Sequence, residues 1–154
     1  MKLVYVAGRF SAPTAWEIEK NIRAAEDIGA EVAKLGLMPV IPHANTRYFH
    51  GLTGTTPEFW YEGTLELLRR CDALILVPGY EESKGVEMER EEAYRLVIPQ
   101  FHYLPALKDW LANGGTNYYE RYLPAQIPRS CPVCSVPFTS FREVAAHDHT
   151  KENV

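Results

Sequence analysis

Residues 72–96 read DALILVPGYEESKGVEMEREEAYRL. The run Asp72–Val77 lacks the polar alternation of a half-solvated strand, so it predicts a strand buried on both faces. Pro78-Gly79 turns the chain, and Ser83 or Gly85 opens a helix that runs to about Leu96. A fully buried strand feeding a helix is the repeating unit of a parallel sheet. Upstream, Lys2–Ala7 reads as a second such strand, ending at Gly8. Thr14 and Glu17 form a capping-box pattern. Ile18, Ile22, Ala25, Val32 and Leu35 follow at helical spacing, with Ile28 between them, and Gly36 is a natural stop. Leu37–Ile41 reads as a strand closed by Pro42, and residues 43–56 as a loop over the top of the sheet. Thr56-Pro57 caps and starts a helix that runs to about Arg70. Downstream, Val97–Phe101 reads as a short fourth strand and Leu104–Leu111 as a helix ended by Gly114-Gly115.

The alternation predicts a doubly wound α/β domain over 1–115, with a mostly parallel, Rossmann- or flavodoxin-like sheet. Residues 116–128 read as a linker and 129–154 as a small second module. The 154 residues suit one domain with an appendage, and 46% hydrophobic with 23% charged residues is a globular composition. No apolar run approaches the ~20 residues of a helical membrane span. A net charge of -4 argues against gripping duplex DNA through its phosphates, so DNA is not an expected partner. Three cysteines make an odd count, which argues against a disulfide framework. The opening MKLVYVAGRF is too short an apolar run for a signal peptide, so a cytoplasmic location is expected.

In doubly wound sheets ligands bind outside the carboxyl ends of the strands. Those ends are Gly8–Ser11, Pro42–Asn45 and Pro78–Gly85. Gly8 lets backbone approach a ligand, the helix start beyond it favours an anion, and Arg9 adds a planar cation. His43 and Asn45 face the same cleft in this topology, as contacts for a sugar or base or as plain surface-loop residues. The Ser83 hydroxyl and the unobstructed Gly85 N–H at a helix start suit a phosphate or carboxylate. Glu89 lies about one turn further on. A carboxylate beside an anion site is unfavourable unless it has a chemical task. The competing reading is a solvated acidic face shared with Glu87, Glu91 and Glu92. Phe59 and Trp60 either stack on a base or pack in the core.

Tyr5-Val6-Ala7-Gly8, then Cys71-Asp72-Ala73-Leu74, then Ser83-x-Gly85-Val86-x-x-Glu89-x-x-x-Ala93 together resemble the nucleoside 2-deoxyribosyltransferase-like superfamily. The S-x-G-V-x-x-E form is similar to its 2′-deoxynucleoside 5′-phosphate N-hydrolase branch, and Val77–Gly85 resembles the DUF4406 group. The resemblance spans residues 1–102 and implies cleavage of an N-glycosidic bond without a catalytic cofactor. It implies Glu89 as the nucleophile on the anomeric carbon, Tyr5 as its hydrogen-bond partner, and Ser83 and Gly85 as holders of the 5′-phosphate; the reading of the first loop adds Arg9 to them. A nucleoside 5′-monophosphate is the implied substrate, by hydrolysis or base transfer, in a homo-oligomer. Thr64 departs from the pattern: many relatives carry a catalytic aspartate there. That leaves Glu62, His43 or Glu58 to protonate the leaving base, or a protein that binds nucleotides without turnover.

The tail carries an independent pattern, Cys131-x2-Cys134-x3-Phe138-x5-Val144-x2-His147-x-His149. Through His147 it follows C2H2 zinc-finger spacing, with donor types that zinc prefers. The metal would supply much of the module's folding energy. His149 follows too closely for a regular helix to aim both histidines alike, so the helix must unwind after His147, or water or Glu152 completes the site. A metal-free cysteine pair is the alternative. Arg129, Arg142 and Lys151 are balanced by Glu143, Asp148 and Glu152, so a lone finger here reads as a structural or adaptor module. Cys71 reads as a small core residue.

Overall fold

The computed structural model describes residues 1–49 and 52–116. The expected zinc module with Cys131, Cys134, His147 and His149 lies outside the described residues, as does the expected linker beyond Thr116. The elements run β1 (Leu3–Ala7), α1 (Ala15–Lys34), β2 (Met38–Val40), α2 (Pro42–Thr46), α3 (Pro57–Arg69), β3 (Ala73–Leu76), α4 (Lys84–Arg95), β4 (Gln100–Phe101) and α5 (Leu104–Ala112). The strands form a four-stranded sheet in the order β2-β1-β3-β4, parallel throughout. Tyr5 sits opposite Val40 on one side and Leu74 on the other, so β1 is paired along both edges.

Strand periodicity sorts the core into two layers. Tyr5, Ala7, Leu74 and Leu76 point to one face, where they meet Leu68 of α3 and Val86 and Ala93 of α4. Val4, Val6, Ala73 and Ile75 point to the other, against Ala25 and Val32 of α1 and Leu107 of α5. Each fully buried Leu or Val contributes roughly 1.5–3 kcal/mol. Helix α1 starts as its sequence dictates: Thr14 Oγ1 accepts from the Glu17 N–H at 3.2 Å, and Glu17 Oε2 accepts from the Thr14 N–H at 3.1 Å. It ends before Gly36, whose φ of +77° is left-handed. Asp72 ties the bottom of the sheet together by accepting from the Leu3 N–H at 2.7 Å.

Two elements differ from the sequence reading. The loop expected from residue 43 begins instead with the single turn α2, started by Pro42 at its first position and closed by Thr46 Oγ1 donating to the Pro42 carbonyl at 3.0 Å. The fourth strand is only Gln100–Phe101, because Val97 adopts a left-handed φ of +56° and finishes α4. The Val97 N–H reaches the Tyr94 carbonyl at 3.1 Å and the Ile98 N–H the Ala93 carbonyl at 2.8 Å, the paired bonds of a Schellman ending. Among the described residues no helix is long and apolar enough to cross a membrane.

Candidate active site

The order β2-β1-β3 reverses direction at β1, and helices leave β1 and β3 toward opposite faces. That switch point opens a crevice at the carboxyl ends of the strands. Here it is a cleft of about 690 Å³.

Glu89 lies in this cleft. It shares the inward face of α4 with Val86 and Ala93, one helical turn to either side. The Tyr5 hydroxyl, projecting from β1 toward the same face, donates to Glu89 Oε1 at 2.6 Å. Glu89 Oε2 is buried with no partner. Burial pushes the Glu89 carboxyl up to about 7, against the opposing pull of the Tyr5 hydrogen bond. Burial first, and the neighbouring carboxylate second, hold the Tyr5 hydroxyl well above its usual range, so it stays protonated and donates. The acidic-face reading describes Glu87 and Glu91, which are exposed, but not Glu89. Glu92 is bound by Arg95 and Arg69, with the Arg69 Nε at 2.7 Å, and these charges hold its carboxyl down at about 2.

Ser83 is the N-cap of α4, its Oγ accepting weakly from the Val86 N–H at 3.4 Å. A Cβ added to Gly85 would meet the Tyr61 ring at an ordinary 3.5 Å, so packing does not force that glycine. Packing does force Gly8, where a Cβ would lie 2.9 Å from Val77 Cγ2. Arg9 lines the cleft with its Nε donating to the Ser11 carbonyl at 3.0 Å and its Nη1 3.8 Å from Glu82. Lys84 is a second cation in the lining.

His43 is 4% exposed, and neither ring nitrogen has a hydrogen-bond partner. Burial lowers its pKa; the main chain at Gly8 and Arg9 runs alongside and opposes this without reaching hydrogen-bond geometry. Asn45 is exposed and is not part of the lining. Glu58 and Glu62 are also outside it, Glu62 being held by Arg69 Nη1 at 2.5 Å. Thr64 is inside, with its hydroxyl donating to the Tyr61 carbonyl at 2.9 Å and bearing on the Tyr5 hydroxyl. The site therefore gathers Tyr5, Gly8, Arg9, His43, Ser83, Gly85 and Glu89, and leaves Asn45 aside.

Sequence reasoning named Trp60 and Thr64 but passed over Pro57 and Tyr61 of the same α3 wall. Pro57, Trp60, Tyr61 and Thr64 all line the cleft, and their spacing is that of one helix face. That spacing was the available signal. Phe59 is exposed and outside the lining, edge-on to Trp60. Among the described residues no group of three or more His, Cys, Asp or Glu side chains could hold a metal.

Residues 2–103 match the family described as Domain of unknown function (DUF7768). The chain belongs to the DUF7768 family. The DUF7768 match takes in every site residue named above and all the residues that resemble the DUF4406 group. No curated protein matches the chain. A solved structure of a 2-deoxyribosyltransferase from the psychrotolerant bacterium Bacillus psychrosaccharolyticus is similar over 96% of this chain and 93% of that one, at 16% identity and a TM-score of 0.47. At that distance the likeness assigns no role to any DUF7768 residue.

Proposed function

We propose that the cleft cleaves the N-glycosidic bond of a nucleoside 5′-monophosphate, with Glu89 as nucleophile. The observation that carries this reading is the Tyr5–Glu89 pair: a buried carboxylate oriented through one oxygen at 2.6 Å, with the other oxygen unpartnered. A desolvated carboxylate is poorly stabilised by its surroundings. It gains strongly from a developing oxocarbenium charge or from a bond to the anomeric carbon. Glu89 Oε2 attacks C1′, and the base leaves with the bonding electrons and takes up a proton at nitrogen. The glycosyl ester is then opened by water, which regenerates the carboxylate, or by a second base, which completes a transfer. Ser83, Gly85 and Arg9 hold the 5′-phosphate at the start of α4, where the helix dipole favours an anion. His43 contacts the sugar or base. The Tyr5 bond keeps part of Glu89 ionised near neutral pH.

Full-length protein incubated with ribo- and deoxynucleoside 5′-monophosphates is expected to release free base, and Glu89→Gln is not. A second reading, nucleotide binding without turnover, is favoured by Thr64 and by Glu82, the other carboxylate in the described lining, being an exposed residue. Binding without base release from any nucleotide would replace the first reading by the second. The reading includes a homo-oligomer, since Leu52 and Tyr61 leave apolar surface open along the cleft rim. It also includes one structural zinc held by Cys131, Cys134, His147 and His149, resting on their spacing alone.

A further inference from the structure

We propose that the cleft takes a nucleotide carrying a second planar ring, a ligand of the dinucleotide class, with one ring beside Phe10 and the other on the Phe49–Trp60 stack. The inference rests on the glycosidase reading and extends its substrate from one nucleotide to two joined through their phosphates.

Two aromatic stations line the same cleft, and they belong to different walls. The loop after β1 supplies Phe10 and helix α2 supplies His43, with ring centroids 5.6 Å apart at 55°. The other station is Phe49 stacked on Trp60 of α3, at 5.6 Å and 28°. Trp60 is fixed in advance. Its Nε1 donates to Thr55 Oγ1 at 3.1 Å, and Phe59 abuts it edge-on at 5.0 Å. A ring already held in place loses little freedom when a ligand stacks on it. Phe49 lines the cleft yet is 45% exposed, so the stack is open to a further ring. Aromatic platforms of this kind accept any base, because every base has a π-face.

A monophosphate has one base and can fill one station, leaving the other bare. Two cations, Arg9 and Lys84, line the cleft where the phosphate is expected, which suits two linked phosphates better than one. The volume of about 690 Å³ also lies in the upper half of the range of about 300–1,000 Å³ usual for small-molecule pockets.

The test is calorimetric titration of full-length Glu89→Gln, which prevents turnover, with AMP, ADP-ribose and NAD+. ADP-ribose and NAD+ share the phosphate pair and differ by the second ring. NAD+ is expected to bind roughly 5- to 150-fold tighter than ADP-ribose, the range for one stacked base. Adding Trp60→Ala is expected to abolish that advantage. Trp60→Phe is expected to retain most of the advantage, which separates lost stacking from lost folding. Equal affinity for NAD+ and ADP-ribose, or an advantage untouched by Trp60→Ala, overturns the inference. So does absence of binding by all three. Base release by wild type from NAD+ and from the panel of monophosphates, against Glu89→Gln, then decides the glycosidase reading separately.

Discussion

Replacing Glu89 by glutamine is expected to make the protein more stable as it disables the site. Burial moves the carboxyl from 4.5 to about 7. At about 1.4 kcal/mol per pH unit, ionising Glu89 in the folded chain costs about 3 kcal/mol more than in the unfolded chain. The folded chain keeps its proton to higher pH than the unfolded one. Stability from this group is therefore intact below about pH 4.5, falls as pH rises through about 7, and levels off beyond. Glutamine mimics the protonated acid, can still accept the Tyr5 hydrogen bond, and does not titrate. The variant should exceed wild type by about 3 kcal/mol near pH 8 and by only about 1 kcal/mol near pH 5. Urea unfolding followed by the fluorescence of the three tryptophans reads this directly, as the difference between the two proteins at each pH. A difference that stays constant across that range, or a variant less stable than wild type near pH 8, would refute the claim that the fold holds this carboxylate in a desolvated state.

Tyr5→Phe removes the bond that favours the charged form of Glu89. The rising limb of base release against pH should move upward from about 7 by about one pH unit, measured as kcat/KM; an unmoved limb would mean that Tyr5 does not act on the nucleophile. Val97→Gly relieves a β-branched residue at a φ of +56° and should raise stability by up to about 1 kcal/mol, read from the urea midpoint. A lower midpoint would show that packing of the Val97 side chain outweighs the backbone strain. Metal analysis of the full chain should find one zinc per protein, lost in Cys131→Ser and Cys134→Ser; metal-free wild type would leave the pair as plain cysteines.

Much of the fold was legible because local rules and tertiary packing agree. Thr14 and Glu17 cap α1 as their spacing predicts, and the Ala73–Val77 run is buried to the last residue. The departures come where local rules compete. Val97-Ile98-Pro99 has strand-like composition, but the end of α4 needs a reversal at once, and Val97 supplies it at the cost of a strained φ. Helix α2 is a single turn, too short to show a period. In the site, the loop positions followed from sheet topology alone. The burial of Glu89 did not, because neighbouring glutamates mask its inward position; only the family resemblance, not spacing, paired it with Tyr5, 84 positions away. For the α3 wall the choice stayed open, because aromatics on an inward helix face look alike whether they fill a core or line a crevice.

That separation of 84 positions also sets a schedule for synthesis. Chains grow at roughly 5–20 residues per second. Tyr5 therefore precedes Glu89 out of the peptidyl-transferase centre by roughly 4 to 17 seconds. During that interval β1 can pair with β2 and α3 can cover part of this face, but the Tyr5 hydroxyl lacks Glu89 and the part of the apolar face meant for α4 stays uncovered. A nascent chain stalled before α4 presents that face to solvent, the kind of surface that ribosome-associated chaperones hold. The helix that completes the site is also the one that covers this face of the sheet.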